Sequence, residues 1–122
     1  LGVLGLQPDS LLELSRRQDV PLETMMPRSR SQTYRGLCVS ILNHVVFERI
    51  LGEANDIEIA YTVDIEEARH QTKEGKYQLA FLFHPPQVEM IKAVADARDR
   101  MPAKSTYFYP KVPAGLVINP LD

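Results

Sequence analysis

An almost unbroken apolar run at residues 77–83 is the feature that most constrains how this chain folds. Pro85 and Pro86 follow the run closely, and proline interrupts regular secondary structure. An apolar run of this kind favours a strand that is covered on both faces. Residues 77–83 therefore predict a central strand with helices packed on its sheet.

Other segments supply strand partners. Apolar and polar side chains alternate over residues 57–61, which is typical of a strand, and residues 1–6 indicate a short apolar strand. Residues 106–109 and 116–118 indicate further short extended segments. The chain therefore offers several strands at wide sequence separation.

Helices are expected between these strands, at residues 11–14, 32–51, 65–73 and 87 to about 100. Apolar side chains follow helical spacing in the longest of them, and Gly52 lies where its C-terminal cap belongs. Asp64 is a candidate N-cap for the third helix, which Gly75 ends. Pro102 blocks continuation of the last.

Strands that alternate with helices are usually parallel, with right-handed crossovers. The predicted fold class is therefore α/β or α+β, with about four strands in a mixed sheet, helices packed on it and a strand–helix–strand–helix–strand core. The length suits one domain, so residues 1–122 are predicted to form a single domain. Because the chain starts abruptly with an apolar segment and no Met, we expect a C-terminal fragment of a larger protein.

Charge and cysteine content argue against several functional classes. A net charge of -2 gives no basic excess for nucleic acid or an anionic membrane surface, so neither is an expected partner. No apolar run approaches the roughly 20 residues of a membrane span. Cys38 is the single cysteine and no Cys/His spacing suggests zinc, so we expect no disulfide framework and no metal site. A reducing, cytoplasmic location fits best.

The most unusual segment is residues 104–111, here called the 104–111 string. It combines two lysines, two hydroxyl groups and two phenols just after a predicted helix. The lysines suit neutralisation of a phosphate or carboxylate, the hydroxyls suit hydrogen bonds to its oxygens, and the phenols suit stacking on a planar ring. The candidate ligand-binding residues are Lys104, Ser105, Thr106, Tyr107, Tyr109 and Lys111.

A structural interpretation of the same string stays open. It is then a surface turn followed by an amphipathic edge strand, in which Tyr107 and Tyr109 share a face and cover the core. The glycine pattern of a phosphate-binding loop is absent. Composition alone favours this structural interpretation over a ligand site.

His84 is a further candidate ligand contact, because it follows the predicted central strand where open α/β sheets often bind ligands. An ordinary loop histidine is the alternative. His44 is interpreted as a partly buried structural histidine and His70 as a solvated helix residue. Cys38 is expected to pack in the core, and helix capping accounts for Asp64 together with its acidic neighbours.

Several segments together resemble the C-terminal part of a bacterial family, the one termed domain of unknown function 1015. The resemblance is carried by residues 37–52, 77–83, 86–88, 92–96, 101–111 and 115–117. Its most specific part is the 104–111 string, and the likeness covers nearly the whole chain from about residue 37. Two positions depart from the family pattern, since Cys38 and Asn43 stand where an Asp and a His are common.

The resemblance implies a missing N-terminal domain. Family members are much longer, and their N-terminal part carries an Asp-Gly-His-His-Arg type motif similar to the ParB and sulfiredoxin superfamily. That superfamily contains nucleotide-dependent phosphoryl-transfer and nucleotide-hydrolysing proteins. No Gly-His pair occurs in this chain, so the activity of that motif lies outside it.

The leading hypothesis is an accessory domain that shares an anion- or nucleotide-binding site with its own N-terminal domain, in a role related to phosphoryl transfer. The alternative is a non-catalytic structural or protein-interaction domain in which the tyrosines are anchors. No cofactor motif is evident, and a nucleotide bound by the full-length protein stays open, as does homo-oligomerisation. The fragment alone is not expected to be an enzyme, because it lacks a convergent set of nucleophile and base.

Overall fold

Three short antiparallel strands form the sheet in the computed structural model, which describes residues 1–52 and 57–110. Strand β1 (Gly2–Leu4) lies in the middle, between β2 (Leu12–Glu13) and β3 (Ala80–Leu82). Val3 of β1 faces Leu12 on one side and Phe81 on the other, and its side chain is completely buried. The N-terminal strand is therefore the centre of the sheet.

The predicted mixed α/β class is confirmed, whereas the described residues do not show the four-stranded sheet or the predicted strand–helix order. The described residues hold three strands, and both neighbouring pairs are antiparallel. The apolar run at 77–83 was predicted to be a central strand. It contributes three residues to β3, which lies beside β1 and at the edge of the three described strands. Residues 57–61 and 106–109 belong to no strand, and residues 116–118 lie outside the described part.

A close backbone approach explains why a glycine follows β1. Gly5 has a φ of 96°, and a Cβ at this position would stand 2.2 Å from the carbonyl oxygen of Gln78. Only glycine combines this φ with this approach. The turn then brings Leu12 into the sheet, so the predicted helix at 11–14 is replaced by β2.

The predicted long helix at 32–51 is broken into three parts. Helix α1 (Gln32–Gly36) and helix α2 (Cys38–Ile41) are separated by Leu37, whose ψ of 133° is extended. Gly36 is a poor helix former and stands at this break. The third part, Leu42–Ile50, is a π-helix, a rare winding that is often found at functional sites.

Helix α3 (Ile65–Lys73) confirms its prediction at both ends. The Asp64 side chain accepts hydrogen bonds from the backbone N–H groups of Glu66 and Glu67, as an N-cap does. At the other end the N–H of Gly75 donates to Thr72 O and the N–H of Lys76 donates to Gln71 O. This is a Schellman motif with glycine at its left-handed position.

Helix α4 (Val88–Asp96) ends earlier than predicted, and it ends in the same motif. The N–H of Arg98 donates to Ala95 O at 2.9 Å, and the N–H of Asp99 donates to Val94 O at 3.0 Å. Arg98 takes the left-handed position with a φ of 53° where glycine is usual. The motif reverses the chain and directs Asp99 toward α1.

The core lies between the sheet and the helices. Its buried apolar side chains are Val3, Met26, Tyr34, Leu37, Leu42 and Val94. Phe47 of the π-helix contacts Phe81 of β3 edge to face, with ring centroids 5.6 Å apart. Cys38 does not join this core: it is exposed, because the break at Leu37 turns α2 away from the face predicted for a continuous helix.

Candidate functional site

The start of the 104–111 string is a tight turn at the protein surface. The hydroxyl of Ser105 donates a 2.6 Å hydrogen bond to the carbonyl of Pro102, and Lys104 within this turn has a φ of 55°. Lys104 is exposed and forms no ion pair with any described residue. The turn therefore presents a positive charge to solvent, while Lys111 lies outside the described residues.

The aromatic side chains of the string are exposed. Tyr107 is 66% exposed, Phe108 is 59% exposed and Tyr109 is 87% exposed. The three rings have no alternation of buried and exposed faces, and these residues form no strand. The interpretation as an edge strand whose tyrosines cover the core is therefore wrong for this part of the chain.

A cleft of about 340 Å³ opens where the string begins. Its size is at the lower end of the roughly 300–1,000 Å³ that small-molecule sites occupy. Residues 101–103, which lead directly into Lys104, form part of its wall. The other lining residues are Arg30, Tyr34, Asn43, His44, Phe47, Glu48, Ile59 and Tyr61.

Three titratable side chains of this cleft form a hydrogen-bonded line. The Tyr34 hydroxyl lies 3.2 Å from His44 Nε2, and His44 Nδ1 lies 2.9 Å from a Glu48 carboxylate oxygen. Exposure increases along the line, since Tyr34 is buried, His44 is partly buried and Glu48 is 59% exposed. His44 and Glu48 are four residues apart, and this spacing places their side chains on one face of the helix.

The partners define which protons the line carries. An ionised carboxylate only accepts hydrogen bonds. Beside such a carboxylate, His44 Nδ1 carries a proton and donates a hydrogen bond to Glu48. With neutral His44, the Nε2 lone pair accepts from the Tyr34 hydroxyl. With imidazolium, Nε2 donates to the phenol oxygen instead. Either state keeps both hydrogen bonds.

Arg30 covers one face of the Tyr34 ring. Its guanidinium carbon lies 4.3 Å from the ring centroid, which is a cation–π contact. Asp99 holds this guanidinium through a 2.6 Å bond and also accepts from the backbone N–H of Ser31 at 2.8 Å. The Ser31 hydroxyl in turn accepts from the Tyr34 N–H as the N-cap of α1. The end of α4 thus fixes Arg30 over Tyr34.

Asp99 is held as a carboxylate by its donors. The backbone N–H of Ser31 is the main cause that lowers the pKa of Asp99 from 3.8 to about 2. Partial desolvation opposes this effect, while the Arg100 N–H and the Arg30 guanidinium add to it. The side chain of Asp99 is only 9% exposed, so its charge acts locally on Arg30 and α1.

Sequence reasoning missed most of this network. It interpreted His44 as structural, and it gave no role to Tyr34, Glu48 or Asp99. The spacing of His44 and Glu48 was a usable signal, because side chains four apart meet on a helix. Nothing local indicated Arg30 and Asp99, which are 69 residues apart in sequence.

The other candidate residues lie elsewhere. His84 is exposed between β3 and α4 and lines neither described cleft, and an antiparallel sheet removes the reason for expecting a ligand beside it. A second cleft, of about 490 Å³, lies along α3 and is rich in carboxylates. Capping by Asp64 and the Glu74–His70 pair account for two of its acidic residues.

Two functional classes find no support in residues 1–52 and 57–110. Within these ranges no group of three or more His, Cys, Asp and Glu side chains is arranged to hold a metal ion. None of the helices described there has the length and apolar character needed to cross a membrane.

Comparison with known proteins adds no assignment. No protein-family model, curated protein or solved structure matches the chain. The function of this chain is therefore inferred from the geometry of the string and of the cleft.

Proposed function

We propose that this chain is an accessory domain that contributes the 104–111 string to a binding site for an anionic or nucleotide ligand. The observation that carries the proposal is Lys104, an exposed cation without an ion-pair partner among the described residues, in a turn beside a cleft. A surface lysine that must bind an anion needs this freedom, because a carboxylate partner would compete with the ligand.

Neighbouring groups suit the same role. The exposed rings of Tyr107 and Tyr109 are available for stacking on a planar ring, since neither is buried in the core. The hydroxyl of Thr106 has no hydrogen bond to another described residue, so it is able to donate to a ligand oxygen. Lys111 and His84 are further candidates of the same proposal.

The proposal includes the context that the family resemblance implies. An N-terminal domain of a larger protein completes the site, the domain works in the bacterial cytoplasm, and the site serves phosphoryl transfer. The exposed rings support an incomplete site, because three neighbouring aromatic side chains in solvent are typical of a surface that meets a ligand or a partner.

One observation favours a different function. Ile59, Tyr61 and Val63 are exposed as well, so exposed apolar side chains are not confined to the string. A non-catalytic protein-interaction domain would present such a surface, with Tyr107 and Tyr109 as anchors. In that case the lysine is a rim charge with little effect on small anions.

Calorimetric titration distinguishes the two functions. ADP, inorganic pyrophosphate and glutamate are titrated into the full-length protein and into the 122-residue chain, each as wild type, Lys104→Met and Lys92→Met. Lys92→Met is the control, because it also replaces an exposed lysine with methionine and so changes the net charge by the same amount. Unlike Lys104, Lys92 is already paired, with Asp96 on α4. The proposal predicts tighter binding by the full-length protein and weakening by roughly tenfold for Lys104→Met only. Equal effects of the two substitutions, or no binding, would support the interaction domain.

A further inference from the structure

We infer that Tyr34, His44 and Glu48 form an acid–base relay that acts on a ligand in the cleft. The inference goes beyond the proposed function, because it assigns proton transfer to residues outside the 104–111 string. It rests on the proposed function for the anionic part of the ligand only.

The line of hydrogen bonds leads from a buried hydroxyl to an exposed carboxylate. Tyr34 lines the cleft and is only 4% exposed, whereas Glu48 at the other end is largely exposed. Both ring nitrogens of His44 are engaged, so His44 itself has no lone pair free for a ligand. All three side chains line the cleft, and the inference assigns the contact with the ligand to the Tyr34 hydroxyl, with His44 and Glu48 acting through it.

The proton inventory balances without a further reactant. The Tyr34 proton moves to His44 Nε2, which leaves a phenolate and an imidazolium whose Nδ1 proton stays bonded to Glu48. The phenolate then takes a proton from a ligand hydroxyl, which becomes an alkoxide. The imidazolium returns to neutral when its Nδ1 proton passes through Glu48 to water. In the reverse direction Nδ1 regains a proton through Glu48, while Tyr34 gives its proton to the alkoxide and takes the Nε2 proton of His44, which restores the starting tautomer.

The surroundings suit the charges that form. Arg30 lies over the ring that carries the negative charge during transfer, and Asp99 keeps Arg30 in place. The charge of Glu48 faces the imidazolium. Arg30 and Asp99 are thus positioning residues, and Tyr34 is the catalytic residue.

The cleft also indicates the class of ligand. Ala103 in its wall is adjacent in sequence to Lys104, so a molecule whose hydroxyl meets Tyr34 reaches toward the string with its other end. That end is the anionic group of the proposed function. The site therefore suits a small hydroxylated phosphate or carboxylate.

The first test measures how fast the Tyr34 hydroxyl proton exchanges with water, by NMR on the 122-residue chain. Gln at position 44 can still bond to Tyr34 but cannot take up and release a proton, so His44→Gln should slow exchange by roughly tenfold or more. Glu48→Gln should slow it less, and Glu89→Gln, an exposed carboxylate on α4, should leave it unchanged. Because Glu48 is exposed, its substitution reports on the relay even if His44→Gln does not fold. Unchanged exchange in Glu48→Gln and in any folded His44→Gln protein would overturn the inference.

The second test separates the relay from the anion site. Ribose 5-phosphate, ribose and inorganic phosphate are titrated while the ring nitrogens of His44 and the amides of residues 104–106 are followed. We expect ribose 5-phosphate to shift both sets and phosphate to shift the amides only, with Tyr34→Phe abolishing the His44 response alone. Amide shifts without a His44 response would overturn the relay and leave the proposed function standing. A His44 response without amide shifts would overturn the proposed function and leave the relay standing. No response in either set would reject the relay and the proposed function together.

Discussion

Two neighbouring regions differ in how their polar side chains are held. In the cleft network, Arg30, Tyr34, His44, Glu48 and Asp99 each have a hydrogen-bond or ion-pair partner. In the described part of the 104–111 string, Ser105 donates a single hydrogen bond to Pro102, and the rings and Lys104 face solvent.

Under the proposed function, this difference suits the two regions to different roles. Side chains that already have partners are positioned before a ligand arrives, which favours chemistry. Exposed side chains without partners lose conformational freedom only when something binds, which suits contact with a ligand or a second domain. The string and the network meet at residues 101–103, so one ligand is able to use both.

The strongest way to break this comparison is Asp99→Ala. The substitution leaves the Ser31 N–H and the Arg30 guanidinium without their shared acceptor, in a place where little water reaches. We expect the midpoint of thermal unfolding to fall by several degrees. Asp96→Ala is the matched control, because its exposed pair with Lys92 contributes about 0.5 kcal/mol or less. Similar losses in the two variants would show that the network does not stabilise the fold.

The stability that Asp99 contributes depends on pH, and the direction of its pKa shift determines how. The pKa of Asp99 is lowered in the folded chain from 3.8 to about 2, so its stabilisation is fully present above the higher value and is lost as pH falls toward the lower one. The difference in unfolding midpoint between wild type and Asp99→Asn should therefore be constant near neutral pH. It should shrink between about pH 4 and pH 2, as measured by circular dichroism. A difference that grows in this window contradicts the assignment.

A smaller effect is expected where α4 ends. Arg98 occupies a left-handed position that costs a residue with a Cβ about 1–2 kcal/mol, while glycine adds some entropy to the unfolded chain. Arg98→Gly should therefore stabilise the chain by roughly 0.5–1 kcal/mol in urea denaturation. Arg98→Ala removes the charge but keeps the Cβ, so it separates the effect of the lost charge from the effect of the left-handed backbone conformation. Stabilisation by alanine as large as that by glycine would refute the backbone explanation.

The smallest effect on stability is expected in the string. Tyr107 and Tyr109 are exposed, so replacing both with Ala should change the free energy of unfolding by less than about 0.5 kcal/mol. Under the proposed function the same double variant should bind ADP more weakly than wild type. A marked loss of stability would mean that these rings pack in the fold after all.

Local chemistry decided which structural predictions succeeded. The helix from Ile65 to Lys73 was predictable because Asp64 and Gly75 give short-range signals at its two ends. The sheet was not, because the pairing of Val3 with Phe81 joins residues far apart in sequence and no local pattern specifies it. The break at Leu37 was also hidden, since apolar spacing continues across it.

The two parts of the candidate site followed the same rule. The string is contiguous, so its residues were predictable from composition alone. The network brings together a residue before α1, residues of the π-helix and the residue that ends the Schellman motif of α4. Only the folded chain places Asp99 beside Arg30 and the Tyr34 hydroxyl beside His44, which explains why sequence reasoning treated His44 as structural.

The proposed function depends on anion binding by Lys104. The most direct measurement titrates inorganic pyrophosphate into the 122-residue chain while NMR follows the backbone amides of residues 104–106. We expect saturable shifts at these amides, with an affinity for pyrophosphate that is weakened by roughly tenfold in Lys104→Met and unchanged in Lys92→Met. Amides that stay still, or equal weakening by the two substitutions, would contradict it.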